Sequence, residues 1–237
     1  MSLGHVLRKI PIFEDLEGED LGRLEAALVR RKYSKGQVIF HKGDEGGSLY
    51  ILQQGRVKVA IPSPQGEEVI LTILSEGEIL GELSLIDGKP RSATVEALEE
   101  AEVLCLRRED FLRLLSTRFE AVLRVLQVLS RRLRDTDALL AESYFLDVTS
   151  RLAKKILDLG RLFGVQQKGV IRIGVRMTQK DLASMVGATR ESVNKQFRWF
   201  KEQGLVHLED GYLTILDPVR LARRARAEGE EREQKGK

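Results

Sequence analysis

Glu82 and Arg91 lie nine residues apart in "GELSLIDGKPRSATV" (81–95), with apolar residues around them and a turn-like Asp87-Gly88-Lys89-Pro90 between them. A guanidinium taken out of water needs an anion, and a carboxylate taken out of water needs donors. Two arrangements satisfy both groups. One is an internal Glu82–Arg91 salt bridge. The other is a bound molecule that brings an anion to Arg91 and hydrogen-bond donors to Glu82. A second set of charged and polar side chains runs through "MTQKDLASMVGATRESVNKQFRWFKEQGLV" (177–206): Thr178, Lys180, Thr189, Arg190, Glu191, Asn194, Lys195 and Arg198. The arginine forks and the Glu191 carboxylate offer directional donors and an acceptor at close spacing.

The rest of the chain has to position these groups. Its 237 residues are 42% hydrophobic, enough for two ordinary domains with packed cores. The single cysteine, Cys105, excludes an internal disulfide, and its alternating apolar surroundings mark it as a small core residue. No apolar run reaches the roughly 18 residues of a membrane span, and Gly4, His5, Arg8 and Lys9 interrupt any signal-peptide core, so a cytoplasmic protein is expected. His5, His41 and His207 are far apart, and no metal-ligand spacing, nucleophile–base pair or phosphate-binding glycine loop occurs; an enzyme is not expected, nor a metal. The net charge of +3 is uneven: residues 1–146 carry 20 basic and 24 acidic side chains, residues 147–237 carry 19 and 12. Charge alone leaves a solvated basic face and contact with a polyanion equally open.

Periodicity divides the chain. Residues 1–32 read as helical, with Leu21, Leu24 and Leu28 at helical spacing. From Lys35 to Leu106, short β-rich runs alternate with glycines, as in a small barrel or roll. From Arg108 to about Ser143 there is neither proline nor glycine, and Phe119, Val122, Leu126, Leu129, Leu133, Thr136, Leu140 and Ser143 step by three and four. That heptad seam predicts pairing with an identical helix, since a lone helix docked on its own barrel would need a wider stripe. A helix over 147–162, a strand pair around 170–175 and two short helices follow.

Thr178 and Asp181 form an imperfect capping box, Gly187 supplies a positive φ, and Thr189 caps the next helix. Val193, Phe197 and Phe200 form that helix's buried stripe, which turns Arg190, Glu191, Asn194, Lys195 and Arg198 outward. Asp210-Gly211 joins two alternating runs into a hairpin. The pattern predicts a winged helix-turn-helix that enters the major groove of double-stranded DNA. There arginine can bond guanine and glutamate can accept from cytosine. The tail from Ala225 is charged and aperiodic.

"GELSLIDGKPRSATV", "FLDVTSRLA" (145–153) and "GATRESVNKQF" (187–197), in this order, resemble the bacterial cyclic AMP receptor protein / fumarate-nitrate regulator (Crp/Fnr) family over nearly the whole chain. The resemblance implies an α+β architecture. An effector β-roll (1–115) precedes a dimerisation helix and hinge (116–146), a winged helix-turn-helix (147–224) and a tail (225–237). It implies a homodimeric transcription regulator with RNA polymerase as a partner and no membrane association. By the match, Glu82 accepts from a ribose hydroxyl of cyclic AMP, and Arg91 with Ser92 holds the cyclic phosphate. The backbone of Gly81–Leu83 adds donors, and Thr136 meets the base. Where the cyclic AMP receptor has a serine from the partner, this chain has Asp137, which leaves room for another base or effector. Arg190 and Glu191 match the family's base readers, and Lys195 replaces a usual arginine, so a half-site like TGTGA with altered discrimination at one position is implied. The iron–sulfur branch uses N-terminal cysteines that this chain lacks, and no haem ligand is marked. An effector-independent regulator on the same fold is the alternative reading.

Overall fold

A computed structural model describes residues 7–8, 10–14, 16–167 and 169–226. It divides into two compact units, Met1–Asp135 and Thr136–Lys237.

The first unit opens with a 3-10 turn at Pro11–Phe13 and helix α1 (Gly18–Ala27). Eight strands follow: β1 (Val29–Tyr33), β2 (Val38–Phe40), β3 (Ser48–Gln54), β4 (Val57–Pro62), β5 (Glu68–Leu74), β6 (Ile79–Leu80), β7 (Thr94–Ala97) and β8 (Ala101–Arg107). They make two antiparallel four-stranded sheets ordered β1-β8-β3-β6 and β2-β7-β4-β5. Phe40, Leu52, Val57, Val95, Val103 and Cys105 share one core cluster. Burial raises the Cys105 thiol pKa, in keeping with its reading as a small core residue. Helix α2 (Glu82–Asp87) interrupts the strands between β6 and β7.

Two expectations are corrected here. The end of the stretch read as helical, residues 29–32, is a strand: α1 ends at Ala27, Leu28 is already extended, and Val29–Tyr33 pairs with Cys105–Ala101. Four of those five side chains are exposed, so the ladder and not side-chain burial holds the segment. The glycine- and proline-free stretch from Arg108 is also not one continuous helix. It breaks at Arg118 (φ −131°, ψ 103°) into α3 (Arg108–Thr117) and α4 (Phe119–Phe145). The Thr117 hydroxyl donates to the Arg113 and Leu114 carbonyls, competing with the helical ladder. Arg118 pairs with Asp20.

Helix α4 is 27 residues long and uses two faces. Ala121 and Val125 are buried in the unit's own core with Leu85, Leu104 and Phe111, and Val128 and Leu129 pack partly against it. The narrow seam therefore does not exclude docking on the chain's own core. The docking residues lie mostly off the heptad positions. On the other face, Phe119, Leu126, Leu133 and Leu140 recur every seven residues and are 68%, 52%, 64% and 59% exposed.

The second unit holds α5 (Val148–Phe163), capped by Asp147, whose carboxylate accepts from the Ser150 amide. Strands β9 (Gly164–Gln167) and β10 (Val170–Arg176), helices α6 (Gln179–Val186) and α7 (Arg190–Glu202), strands β11 (Val206–Glu209) and β12 (Tyr212–Ile215), and helix α8 (Pro218–Arg224) follow. The sheet order is β11-β12-β10-β9. Asp210 (φ 50°) and Gly211 (φ 80°) both take the positive φ of a two-residue hairpin turn. Leu152, Ile156, Ile173, Leu182, Val193, Phe200, Leu213 and Leu221 are fully buried. The expected tail falls outside the described residues from 227 onward.

Candidate effector and DNA-binding sites

The β-roll buries both charged side chains singled out above: Glu82 is 2% exposed and Arg91 4%. They do not pair with each other. Arg91 Nη1 donates to the Gly81 carbonyl and Nη2 to the Ser48 carbonyl, each at 2.7 Å. Its guanidinium carbon lies 4.4 Å from the Phe40 ring centroid and 5.5 Å from that of Tyr50. Burial lowers its pKa, against the raising influence of Tyr50, Glu82 and Asp44. Tyr50 is pushed up, chiefly by burial. Glu82 Oε1 instead accepts from Arg132 Nη1 at 2.6 Å, and Arg132 also donates to the Ile79 carbonyl. The internal Glu82–Arg91 bridge is thus replaced by a Glu82–Arg132 bridge reaching from α2 to α4.

Within this cradle each of the two charged side chains keeps one buried atom without a hydrogen-bond partner, Glu82 Oε2 and Arg91 Nε; among the described residues Gln53 Oε1, Arg151 Nε and Asn194 Oδ1 share that condition elsewhere. An unpartnered buried acceptor and donor are costly unless something visits them. Together they call for a molecule carrying a hydroxyl donor and an anionic acceptor, as a ribose cyclic phosphate does. Gly81 explains how the arginine gets so close. Its φ is +83°, and a Cβ there would stand 2.2 Å from Arg91 Nη1. Gly81 also opens α2 in the left-handed conformation.

The other expected effector residues divide. Leu83 is 42% exposed on α2, and Ser92 is exposed beside Arg91. Thr136 and Asp137 are exposed on α4 and belong to the second unit, so the first unit brings together only Gly81, Glu82, Leu83, Arg91 and Ser92. Arg132 was missed by sequence reasoning. It is one of several arginines on α4, and its signal was positional: four residues before Thr136, it lies one turn away on the same side.

The helix-turn-helix follows the sequence closely. The Thr178 hydroxyl accepts from the Asp181 amide at 3.1 Å while Asp181 accepts from the Thr178 amide at 2.8 Å, a reciprocal capping box. Gly187 is left-handed (φ 59°, ψ 48°), and Thr189 accepts from the Ser192 amide at 3.2 Å. Val193, Phe197 and Phe200 are buried, and Arg190, Glu191, Lys195 and Arg198 are exposed. Lys180 is exposed on α6. Asn194 departs from expectation: it is half-buried, and its Oδ1 is buried without a partner. It directly follows buried Val193 and sits on the shoulder of the buried stripe, not on the outward face. Sequence reasoning also passed over Arg172 and Arg176. Their guanidinium carbons lie 5.1 and 5.2 Å from the Tyr212 ring centroid, which places two cations on the winged sheet.

Residues 30–118 match the cyclic nucleotide-binding domain model, and residues 150–224 match the Crp-like helix-turn-helix domain model. The chain is 36% identical to a CRP-like cAMP-activated global transcriptional regulator of Mycobacterium tuberculosis, over 94% of this chain and all of that one. It belongs to the Crp/Fnr family of transcription regulators. This regulator is also 32% identical to the cyclic AMP receptor protein of Thermus thermophilus, over 89% of its own length and 94% of that protein. Among solved structures, it resembles the c-di-GMP responsive global regulator CLP of Xanthomonas campestris, with a TM-score of 0.75, 25% identity, and coverage of 85% and 99% of the two chains. The regulator thus combines a cyclic-nucleotide-binding domain with a DNA-binding helix-turn-helix domain. Among its described residues, no helix is long and apolar enough to cross a membrane.

Proposed function

We propose that this regulator is a cytoplasmic homodimer whose affinity for a DNA palindrome is set by cyclic AMP bound in the β-roll. The observation that carries this reading is the pair of buried, unpartnered atoms, Glu82 Oε2 and Arg91 Nε. Glu82 accepts the ribose hydroxyl, and Arg91, with Ser92 and the backbone of Gly81–Leu83, holds the phosphate. Thr136 and Asp137 of α4 meet the base. The heptad positions Phe119, Val122, Leu126, Leu129, Leu133, Thr136 and Leu140 form the dimer seam, with the exposed Phe119, Leu126, Leu133 and Leu140 contributing most. Ligand shifts the α4 pair, and the hinge at 145–149 reorients both winged units. Their recognition helices then reach two half-sites about 34 Å apart.

Arg190, Glu191 and Lys195 read the base edges of a TGTGA-like half-site, and Lys195 in place of arginine alters discrimination at one position. Thr178, Lys180 and Thr189 approach phosphates, and Asn194 adds to the DNA contact from its half-buried position. RNA polymerase is the partner of the assembled complex.

The test is a fluorescence-anisotropy titration of a TGTGA-type palindrome at fixed salt, with and without cyclic AMP. Cyclic AMP is expected to tighten binding at least tenfold, about 1.4 kcal/mol of coupling, and Arg91→Ala to abolish the gain. Tight binding indifferent to cyclic AMP would overturn cyclic AMP control. A second reading keeps the DNA function and changes the ligand. Asp137 is its basis, since a carboxylate there accepts from the adenine amino group and also from the N1–H and amino group of guanine. Repeating the titration with guanine nucleotides separates the two.

A further inference from the structure

Helix α8 lies beyond the hairpin. Its sequence, PVRLARR, holds three arginines and no acid. It is firmly fixed. Leu221 is fully buried, Asp217 caps the helix by accepting from the Arg220 amide at 2.9 Å, and Arg220 Nη1 donates to the Gln203 carbonyl at 3.3 Å, just past the end of α7. Arg224 is exposed, and its guanidinium carbon lies 4.7 Å from the centroid of Trp199, the chain's one tryptophan. Among the described residues Arg224 makes no ion pair.

The position of Trp199 gives this stack its meaning. Trp199 follows Lys195 by four residues, so the two are neighbours one turn apart on the same flank of α7. At 100° per residue, the buried direction is set by Val193, Phe197 and Phe200, and Glu191, Lys195, Arg198 and Glu202 point opposite to it. Trp199 lies about 60° to the side of that outward direction. The ring therefore carries the Arg224 cation at the rim of the face offered to the groove. A guanidinium held over a ring has fewer conformations to lose on meeting an anion. The strand bordering a recognition helix is a line of phosphates, one charge per ~1.7 Å of duplex.

We propose that Arg224, carried on Trp199, is a backbone-binding residue that grips a phosphate at the border of the half-site, extending the DNA contact beyond the helix-turn-helix. The proposal rests on the DNA-binding reading of α7. Arg224 adds affinity at any sequence and reads no base.

The experiment compares the full-length protein with Arg224→Gln in anisotropy titrations from low to moderate salt, on the palindrome and on a scrambled duplex. Because Arg224 is exposed, the variant is expected to melt with the wild type. Its log K against log salt line is expected to be shallower by roughly one unit per phosphate contact, roughly two for a two-fold complex. The palindrome-to-scramble ratio is expected to stay unchanged. An unchanged slope with a preserved preference overturns the proposal and leaves the DNA-binding reading intact. A lost preference with an unchanged slope also overturns it, because Arg224 then acts by positioning α7. The titrations are run with and without cyclic AMP, and wild-type protein that binds neither duplex in either condition overturns both.

Discussion

The candidate effector cradle of the β-roll and the candidate recognition helix use the same residue types in opposite environments. Arg91 and Glu82 are buried and leave a donor and an acceptor unpartnered, whereas Arg190 and Glu191 stand exposed on a helix whose other face is a packed core. The first arrangement costs folding free energy for as long as those atoms stay unpartnered, so under the proposed function occupancy is linked to stability. The second costs nothing in the free protein, so it can wait for DNA without tuning anything. The two candidate sites thus differ less in chemistry than in where water is excluded.

The largest test of this contrast strikes the scaffold of the reader alone. Phe197→Ala, at 1% exposure, is expected to destabilise the second unit by about 3–5 kcal/mol. Calorimetry should then show a lowered transition that cyclic nucleotide no longer brings back to wild type, with DNA binding lost. Next comes the sensor. Arg132→Ala strips the buried Glu82 carboxylate of its charge partner and is expected to cost about 3 kcal/mol. Adding Glu82→Gln should recover most of the lost melting temperature; a double variant no more stable than the single would refute the pairing. A smaller effect is expected on the reading face. Glu191→Ala should leave melting unchanged and relax discrimination at one base pair by about 1–3 kcal/mol, seen by competition with singly substituted duplexes.

The smallest effect concerns Asp158 on α5. Burial raises its pKa above the ordinary 3.8, and Glu142 adds to this, while Arg161, Lys155 and Lys154 oppose it. The folded state therefore holds the proton more tightly than the unfolded one, and stability falls as pH rises through the range just above 3.8. Asp158→Asn is expected to remove that dependence and to raise the melting temperature slightly at pH 7. Equal melting curves of the two proteins from pH 4 to pH 7 would argue against it.

The helix-turn-helix was nearly all legible in the sequence because its determinants are local. A cap lies three residues from its partner, a glycine ends a helix, and a stripe repeats within thirteen residues. Even there, Asn194 was misplaced, because a residue on the shoulder of a stripe is half in and half out. The β-roll was legible as a class but not in its pairings. Arg91 meets Ser48 across 43 positions and Arg132 meets Glu82 across 50, and no periodicity connects such residues. The strand at Val29–Tyr33 was hidden for the same reason. Its partner lies in β8, and its exposed side chains carry no apolar alternation. The break at Arg118 was hidden because neither glycine nor proline announces it.

Gly81 has a genetic consequence. Apart from silent changes and stop codons, every single-base change in a glycine codon yields a residue with a Cβ, and at Gly81 that atom would stand 2.2 Å from Arg91 Nη1 in a backbone conformation with φ +83°. No gradual route through similar residues is open at this position, because even alanine displaces the arginine. Random mutagenesis should therefore return Gly81 alleles as one class, folded and blind to effector, while neighbouring exposed Ser92 accumulates graded ones.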